Sequence, residues 1–242
     1  MKKINVILTL LVLLSGYSLA QMMPMMGGWM PKEMGSMEGQ MHEFHPFLAH
    51  MGMPDDPGKV SLRILGFQQR LAGISQNGYG AHLETGLWDR VGLHIRNDDI
   101  QRDGTEIMLQ FAFLRSQDKE EGIAAIVENE MPGATGETTA KFKVGLTAIK
   151  KFWGQPLHLA WHYGPSDKMS EFTASQVINV NERLGLIIEY SGISNASTVA
   201  YLLEGLKIRL TPFMNLGIAF QSPVTADKEF DTRTLLQIET NI

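Results

Sequence analysis

Residues 79–96 have the sequence YGAHLETGLWDRVGLHIR, and this stretch decides the fold. Apolar and polar or small residues alternate from Tyr79 to Leu87. After a short break at 88–90, they alternate again from Val91 to Arg96. Strict alternation of this kind is typical of a half-buried β-strand. The stretch therefore predicts a β-hairpin in which each strand has one apolar face and one small or polar face.

The same alternation recurs along the chain, in segments separated by short breaks and longer ones. Alternating segments follow at 107–113, 157–163, 184–190, 206–210 and 214–220. Two of them start, like Val91-Gly92-Leu93, with an apolar–Gly–apolar triplet after a tight turn, at Leu184-Gly185-Leu186 and at Leu216-Gly217-Ile218. This weak internal repeat indicates a series of hairpins.

The breaks between these segments are sorted by length. Short breaks fall at 88–90, 116–121, 151–154, 181–183 and 211–214, and longer ones fall between them at 68–78, 99–104, 131–139, 164–171, 193–198 and 223–231. Outer-membrane barrels have short periplasmic turns and long extracellular loops. Residues 58–242 are therefore predicted to form a twelve-stranded antiparallel transmembrane β-barrel. We expect it in the outer membrane of a Gram-negative bacterium, surrounded by lipid, with its N-terminal arm and C-terminus on the periplasmic side.

The N-terminal residues and the composition agree with export. Lys2 and Lys3 precede an apolar run at 6–14, and Ser18-Leu19-Ala20 places small residues where a signal peptidase cleaves, so residues 1–20 are predicted to be a signal peptide. The chain has no Cys, which excludes disulfides and thiolate metal sites. Its net charge of −5 and the lack of a basic cluster argue against nucleic acid as a partner.

Residues 21–57 differ from the rest because they contain 10 of the 15 Met together with His, Gly and Pro, without sustained periodicity. We predict a flexible, disordered periplasmic arm. Thioethers and imidazoles form a soft site that suits Cu(I) or Ag(I), and no other cofactor is expected. The candidate metal ligands are Met22, Met23, Met25, Met26, Met30, Met34, Met37, Met41, His42, His45, His50, Met51 and Met53.

Other interpretations of this arm remain open. The spacing of His42 and His45 also suits Cu(II) or Zn(II). Methionine is equally a flexible apolar residue for a sticky surface. The arm is then a docking segment for a periplasmic partner protein, attached to a structural barrel, or a tolerated filler.

Polar residues on the small face of the strands are predicted to line the barrel lumen. The lumen candidates are His82, Glu84, His94, Arg96, His158, His162, Lys207 and Arg209, and Glu189 shares their face. His82 and His94 lie on strands joined by the 88–90 turn and are expected to be close. His158 and His162 are roughly 13 Å apart along one strand, too far to share a metal. The candidates form either a hydrated lumen with paired charges or a metal relay.

Four segments carry a resemblance to a known family: the turn at 86–93, ENEMPG at 128–133, LHLAWHYG at 157–164 and the closing hairpin at 212–220. With them, residues 58–242 resemble outer-membrane β-barrels of the meta-pathway phenol-degradation transporter family. The resemblance implies passage of small molecules without a catalytic site. The Met/His-rich arm is similar in composition to copper-resistance outer-membrane proteins, which implies metal resistance.

The function predicted from these features is the passage or handling of a small solute, with copper or silver ions as the narrower version. An enzyme is not expected, because the chain lacks a nucleophile elbow, a phosphate-binding Gly-rich loop and a His-Glu-x-x-His helix. A soluble periplasmic metal-binding β-protein is the alternative. One departure from barrel chains is the end at Ile242, where an aromatic residue is usual, and this counts against efficient assembly.

Overall fold

The computed structural model describes residues 44–116, 120–134, 139–195 and 197–241. Among these residues, no helix is long and apolar enough to cross a membrane. The described chain forms twelve β-strands: β1 (Val60–Leu71), β2 (Ile74–Trp88), β3 (Val91–Asn97), β4 (Glu106–Arg115), β5 (Gly122–Glu130), β6 (Lys141–Phe152), β7 (Gln155–Gly164), β8 (Met169–Asn181), β9 (Leu184–Ser194), β10 (Thr198–Thr211), β11 (Met214–Pro223) and β12 (Thr232–Asn241).

The twelve strands form one closed antiparallel barrel, as the alternation predicts. Each strand pairs with its neighbours in the sequence, and β12 returns to pair with β1 from Ser61↔Asn241 to Arg70↔Thr232. Closure gives every strand a partner on both sides, so no edge is left with unpaired backbone groups. That condition is required of a sheet within lipid hydrocarbon.

The connections differ in length on the two ends of the barrel. At the short-turn end, four of the five connections have two residues, as between Trp88 and Val91. The other end carries loops of up to ten residues. The predicted long break at 68–78 is wrong, because β1 and β2 continue through it to a two-residue turn. Ala72 and Gly73 form this turn with φ of 49° and 84°, the left-handed conformation that tight hairpins need.

The outward face of the barrel is apolar. Large side chains are exposed there along most strands, including Phe111, Leu146, Trp161, Ile188, Ile218, Phe220 and Leu236. At the short-turn end, Trp88, Trp153 and Phe213 are 67%, 89% and 64% exposed. An apolar band bordered by aromatic residues is the surface that a transmembrane barrel presents to lipid. A soluble β-protein, the alternative considered above, would bury these side chains, so this surface does not support it.

The inside of the barrel contains a segment of the chain itself. Residues 44–57, called the lumen segment below, belong to the same compact unit as the strands. Pro57 bridges to Gly86 beside the β2–β3 turn, and Phe44 lies against Gly185 beside the β8–β9 turn, so both ends of the segment lie at the short-turn end. This differs from the flexible arm predicted for 21–57. The predicted signal peptide at 1–20 and residues 21–43 of the predicted arm lie outside the described residues.

Candidate functional site

The wall of the lumen is built by the second face of each strand, and the structure places the eight predicted lumen residues on it. Seven of them are buried or have a side chain no more than 18% exposed: His82, Glu84, His94, His158, His162, Lys207 and Arg96. Arg209 is half-buried with its guanidinium over the Phe44 ring at 4.9 Å. Glu189, on the same face, is also buried.

The predicted pair of His82 and His94 is not directly opposed across the strands. Glu84 faces His94 and Arg96 faces His82 in the register. His82 Nε2 lies 2.5 Å from Asp98 Oδ1, and His94 Nε2 lies 3.1 Å from Gln110 Oε1. The imidazoles of His82 and His94 therefore contact different polar side chains, Asp98 and Gln110.

Several lumen residues are not among the predicted lumen candidates. They are Arg63 on β1, Gln110 on β4, Glu128 on β5, Lys143 and Thr147 on β6, Ser175 on β8, Asn215 and Gln221 on β11, and Gln237 and Glu239 on β12, and all are buried. The alternation that located His82 also runs through these strands. In the segments 107–113 and 214–220 it already puts Gln110 and Asn215 on the small face, and applied to the remaining strands it would have found the others.

The backbone of the lumen segment is held by the wall at residues 46–49. The carboxylate of Glu189 accepts hydrogen bonds from the backbone N–H groups of Phe47, Leu48 and Ala49, the last two at 3.0 Å. The Phe47 carbonyl accepts a hydrogen bond from Gln237 at 3.1 Å. One carboxylate thus satisfies three buried donors that would otherwise be costly in a low-dielectric interior.

Two buried cations meet at the Pro46 carbonyl. Arg63 Nη1 donates to this oxygen at 2.9 Å, and Lys207 Nζ lies 3.3 Å from it. Arg63 also pairs with Glu84, and Lys207 pairs with Glu239 at 2.8 Å. His45 Nδ1 lies 2.5 Å from the same Glu239. The positive charges of Arg63 and Lys207 are therefore balanced by wall carboxylates, and the lumen segment adds a carbonyl oxygen and an imidazole to the same contacts.

Aromatic rings of the segment fill the space between these polar contacts. Phe44 and Phe47 are 1% and 0% exposed and pack in a cluster with Leu65, Ile187 and Leu203. The wall makes room for Phe47 with glycines. A Cβ on Gly205 or Gly217 would lie 2.4 or 2.7 Å from its ring atoms.

The other part of the segment contacts a polar wall formed by β3 to β7. His50 Nε2 lies 3.3 Å from Arg96 Nη1, and its ring lies 4.6 Å from that of His162. The backbone N–H of Gly52 donates to His158 Nδ1 at 3.1 Å. The Met51 carbonyl accepts a hydrogen bond from Gln110 at 3.0 Å.

The predicted metal ligands divide between two regions. His45, His50, Met51 and Met53 are buried in the lumen, where Met53 packs as an apolar side chain with Ala112, Ala124 and Ile149. The remaining candidates lie outside the described residues: Met22, Met23, Met25, Met26, Met30, Met34, Met37, Met41 and His42.

Little space remains beside the lumen segment. A cavity of about 10 Å³ lies between Ala49, His50 and the wall residues Arg63 and His94, which is the size that one water needs. A solute larger than water therefore cannot share this part of the lumen with the segment.

A wider vestibule of about 260 Å³ opens at the long-loop end, between Phe67, Gln76, the β3–β4 loop and Arg233. Burial alone would raise the pKa of Asp98 in this loop, but the Arg96 guanidinium and His82 outweigh it and hold the pKa well below its usual range. Burial and the charges of Asp98 and Asp99 raise the pKa of Asp103 to about 6. The vestibule therefore contains one carboxyl group that titrates in a mildly acidic medium.

No protein-family model and no curated protein matches this chain. Solved structures match it in fold. The KdgM porin is 10% identical with a TM-score of 0.56, over 74% of this chain and 98% of that chain. The NanC porin is 8% identical with a TM-score of 0.54, over 74% and 97%. An outer membrane channel from Pseudomonas putida F1 is 9% identical with a TM-score of 0.56, over 79% and 98%.

Identities this low show the fold alone. These relatives in structure are porins and channels; the expectation that the chain is not an enzyme stays a prediction. The resemblances to the meta-pathway and copper-resistance families are not tested by these matches and stay predictions. The fold of this chain is that of outer-membrane porin barrels.

Proposed function

We propose that this protein is an outer-membrane channel for small solutes, closed by its own residues 44–57. The observation that carries the proposal is the occupied lumen, in which the cavity beside Ala49 and His50 has a volume of only about 10 Å³. Because that space admits a single water, solute passage requires the segment to move. The proposal includes an extracellular long-loop end and a periplasmic short-turn end, from the loop lengths of known barrels.

The contacts of the segment support a specific closed state. Glu189, Arg63 and Gln237 bind backbone groups of residues 46–49, and glycines of the wall fit the Phe47 ring. Contacts to backbone groups fix the position of the segment with little dependence on its side chains. A wall built only to enclose water would not need such groups at these positions.

A polar solute suits the wall that the segment covers. With the segment displaced, the faces of β2 to β7 present imidazole, carboxylate, amide and ammonium groups, among them His94, Gln110, Glu128 and Lys143. Both charge signs are present. One structural relative, the KdgM porin, was solved in complex with disordered oligogalacturonate, and a small polar solute is the class that we propose here.

Planar-bilayer recordings test the proposal. We compare the full chain with a variant that lacks residues 44–53, and deletion of residues 22–31 is the control of equal length. The variant lacking 44–53 is expected to conduct in large, stable steps, and the full chain and the control to stay mostly closed. Heat-modifiable migration in gels checks that each barrel folds. Equal conductance of the full chain and the 44–53 deletion would overturn the proposal.

A narrower proposal concerns the methionines. In it, the thioethers of residues 22–41 bind Cu(I) or Ag(I) and deliver the ion to the barrel, which relieves the periplasm of metal. Soft ligands in a chain without Cys support it. Titration of the full chain with Cu(I) against a competing chelator tests it, with Met-to-Leu variants at these positions as the control. Leucine preserves docking of a partner protein, so equal Cu(I) binding by the control would favour the docking alternative.

A further inference from the structure

We propose that His50, Glu128 and His162 form a binding site for Zn²⁺ or a similar borderline divalent cation between the lumen segment and the barrel wall. Each residue offers one ligand atom, and these atoms all lie within 4.8 Å of one another. The three residues are buried, at 8%, 1% and 1% exposure. Two imidazoles and a carboxylate are a ligand set that zinc accepts, with a fourth position left for water.

His162 is already arranged as a metal ligand. Its Nδ1 lies 3.0 Å from Glu128 Oε2, while its Nε2 is buried without a hydrogen-bond partner. Glu128 therefore holds His162 in place without metal, and on binding its carboxylate exchanges this contact for coordination of the ion. A buried nitrogen without a partner is unfavourable, and coordination would satisfy it.

His50 brings the lumen segment to the same place. Its ring packs against His162 with 4.6 Å between the centroids, and its Nε2 lies 3.3 Å from Arg96 Nη1. Arginine is always a donor, so Nε2 accepts and the imidazole is neutral, the form that binds metals. His50 is the one ligand that does not belong to the barrel wall.

The charges around the site favour a cation. Lys143 Nζ lies within 3.6 Å of carboxylates from four residues, Glu106, Glu128, Glu130 and Glu171. Arg96 is a second cation here, with its Nε 3.7 Å from Glu106 Oε2, so two cationic groups face four carboxylates in a largely buried place. If Glu128 turns toward a metal, Lys143 retains three partners, so coordination does not leave it unpaired.

The same carboxylates give the cation a path. The side chains of Glu106, Glu130 and Glu171 are 23%, 18% and 22% exposed. They lie where β4 begins, β5 ends and β8 begins, which is the long-loop end of the barrel. A mouth with excess negative charge attracts cations, and it leads to the buried histidines.

The ligand types select the class of metal. Imidazole nitrogen suits Zn²⁺, Cu²⁺ and Ni²⁺, whereas Mg²⁺ and Ca²⁺ prefer oxygen ligands alone. A second group, Glu106, Glu128 and Glu130, offers only oxygen ligands within the same distance of one another. This all-carboxylate group is an alternative that the experiment must separate from the proposed site.

Bound metal would join the lumen segment to β5 and β7 and hold the channel closed. This consequence rests on the proposed function, whereas binding itself does not. A ligand that binds one state alone shifts the equilibrium by 1 + [L]/Kd. Zinc at 100 times its Kd would therefore lower the open fraction about 100-fold.

Zinc binding to the purified full chain in detergent tests the site, measured against a competing chromophoric chelator. We compare the wild type with His50→Ala, Glu128→Gln and His162→Gln. His82→Gln is the matched control, because this buried wall histidine pairs with Asp98 and lies outside the group. His50→Ala leaves the wall intact and stays informative if a wall variant fails to fold.

The wild type and His82→Gln are expected to bind one tight zinc equivalent that the other three variants lose. Equal stoichiometry in all five proteins would overturn the site, as would loss in Glu128→Gln alone, which indicates the all-carboxylate group. X-ray absorption at the zinc edge should show two imidazoles. Zinc binding is measured independently of conductance. A variant that lacks residues 44–53 and still does not conduct would therefore refute the channel proposal and leave the zinc site standing.

Discussion

Two parts of the lumen segment, residues 44–49 and residues 50–53, are held in different ways. Residues 44–49, the Phe47 limb, are fixed by aromatic packing and by wall groups that bind the backbone, with Glu189 accepting three N–H groups. Residues 50–53, the His50 limb, face ionisable side chains and make fewer backbone contacts. The difference separates two tasks. In the proposed channel, we expect the first limb to set how tightly the lumen is closed, and the second limb, through the proposed zinc site, to set what changes that closure.

The largest effect should come from removing the Phe47 ring. Phe47→Ala loses the packing of a fully buried aromatic residue, a cost of about 3–5 kcal/mol, and should leave the channel open for most of a bilayer recording made in EDTA. His50→Ala loses one polar contact and a ring contact, about 1–2 kcal/mol. A His50→Ala channel that opens as much as Phe47→Ala would remove the distinction between the limbs.

A smaller effect is expected from Glu189→Gln. The amide oxygen replaces two carboxylate oxygens and carries no charge, which weakens bonds to three backbone groups by about 2–3 kcal/mol in total. Hydrogen exchange of the Phe47, Leu48 and Ala49 amides should accelerate. Glu182→Gln, on the exposed β8–β9 turn, is the matched control. Unchanged exchange in Glu189→Gln would show that this carboxylate does not hold the segment.

A matched pair of glycines tests the fit of the Phe47 limb to the wall. A Cβ on Gly205 would lie 2.4 Å from Phe47 Cε2, whereas one on Gly66 would have nothing within 4 Å. Overpacking typically costs about 1–3 kcal/mol. Gly205→Ala should therefore raise the open fraction in bilayers, and Gly66→Ala should not. The same open fraction in both would mean that the ring is not seated there.

The smallest effect concerns the vestibule beyond the His50 limb. The pKa of Asp103 is about 6, so this carboxyl group is mostly neutral at pH 5 and charged at pH 7. Because the folded-state pKa is raised, the group favours the fold when protonated, and this contribution is lost as the pH rises from about 4 through 6.

The same titration should alter ion selectivity. In the channel lacking residues 44–53, cation preference from reversal potentials should fall between pH 7 and pH 5, and Asp103→Asn should remove much of that change. Asp227→Asn, in the exposed β11–β12 loop, is the control. An identical pH dependence in both variants would contradict the assignment.

The barrel could be predicted because the residue patterns that determine it lie within short stretches of the sequence. Alternation within each strand decides which residues face inward, as with His82 and Glu84. The lengths of the connections distinguish the two ends of the barrel. The predicted break at 68–78 is wrong because its polar residues continue β1 and β2. Gln68 and Asn77 instead pair across β1 and β2 through their side chains, at 3.2 Å.

The lumen segment was not predictable because its partners are distant in the chain. Phe47 contacts Glu189 and Gln237, which are 142 and 190 residues away. No periodicity is imposed on a segment whose neighbours come from many strands, so its Gly, Pro and Met content looks like that of a flexible arm. The cluster of His50, Glu128 and His162 was hidden for the same reason, since it requires the segment to be inside the barrel.

The most direct test of a lumen closed by its own segment is the accessibility of a single thiol within it. The chain contains no Cys, so Ala49→Cys, at a position 3% exposed, carries the only reactive thiol, and Asn195→Cys on an exposed loop is the control. We predict that a polar maleimide labels Ala49→Cys at least about 100-fold more slowly than Asn195→Cys, because labelling requires the segment to open. Equal labelling rates in folded barrels would contradict the account.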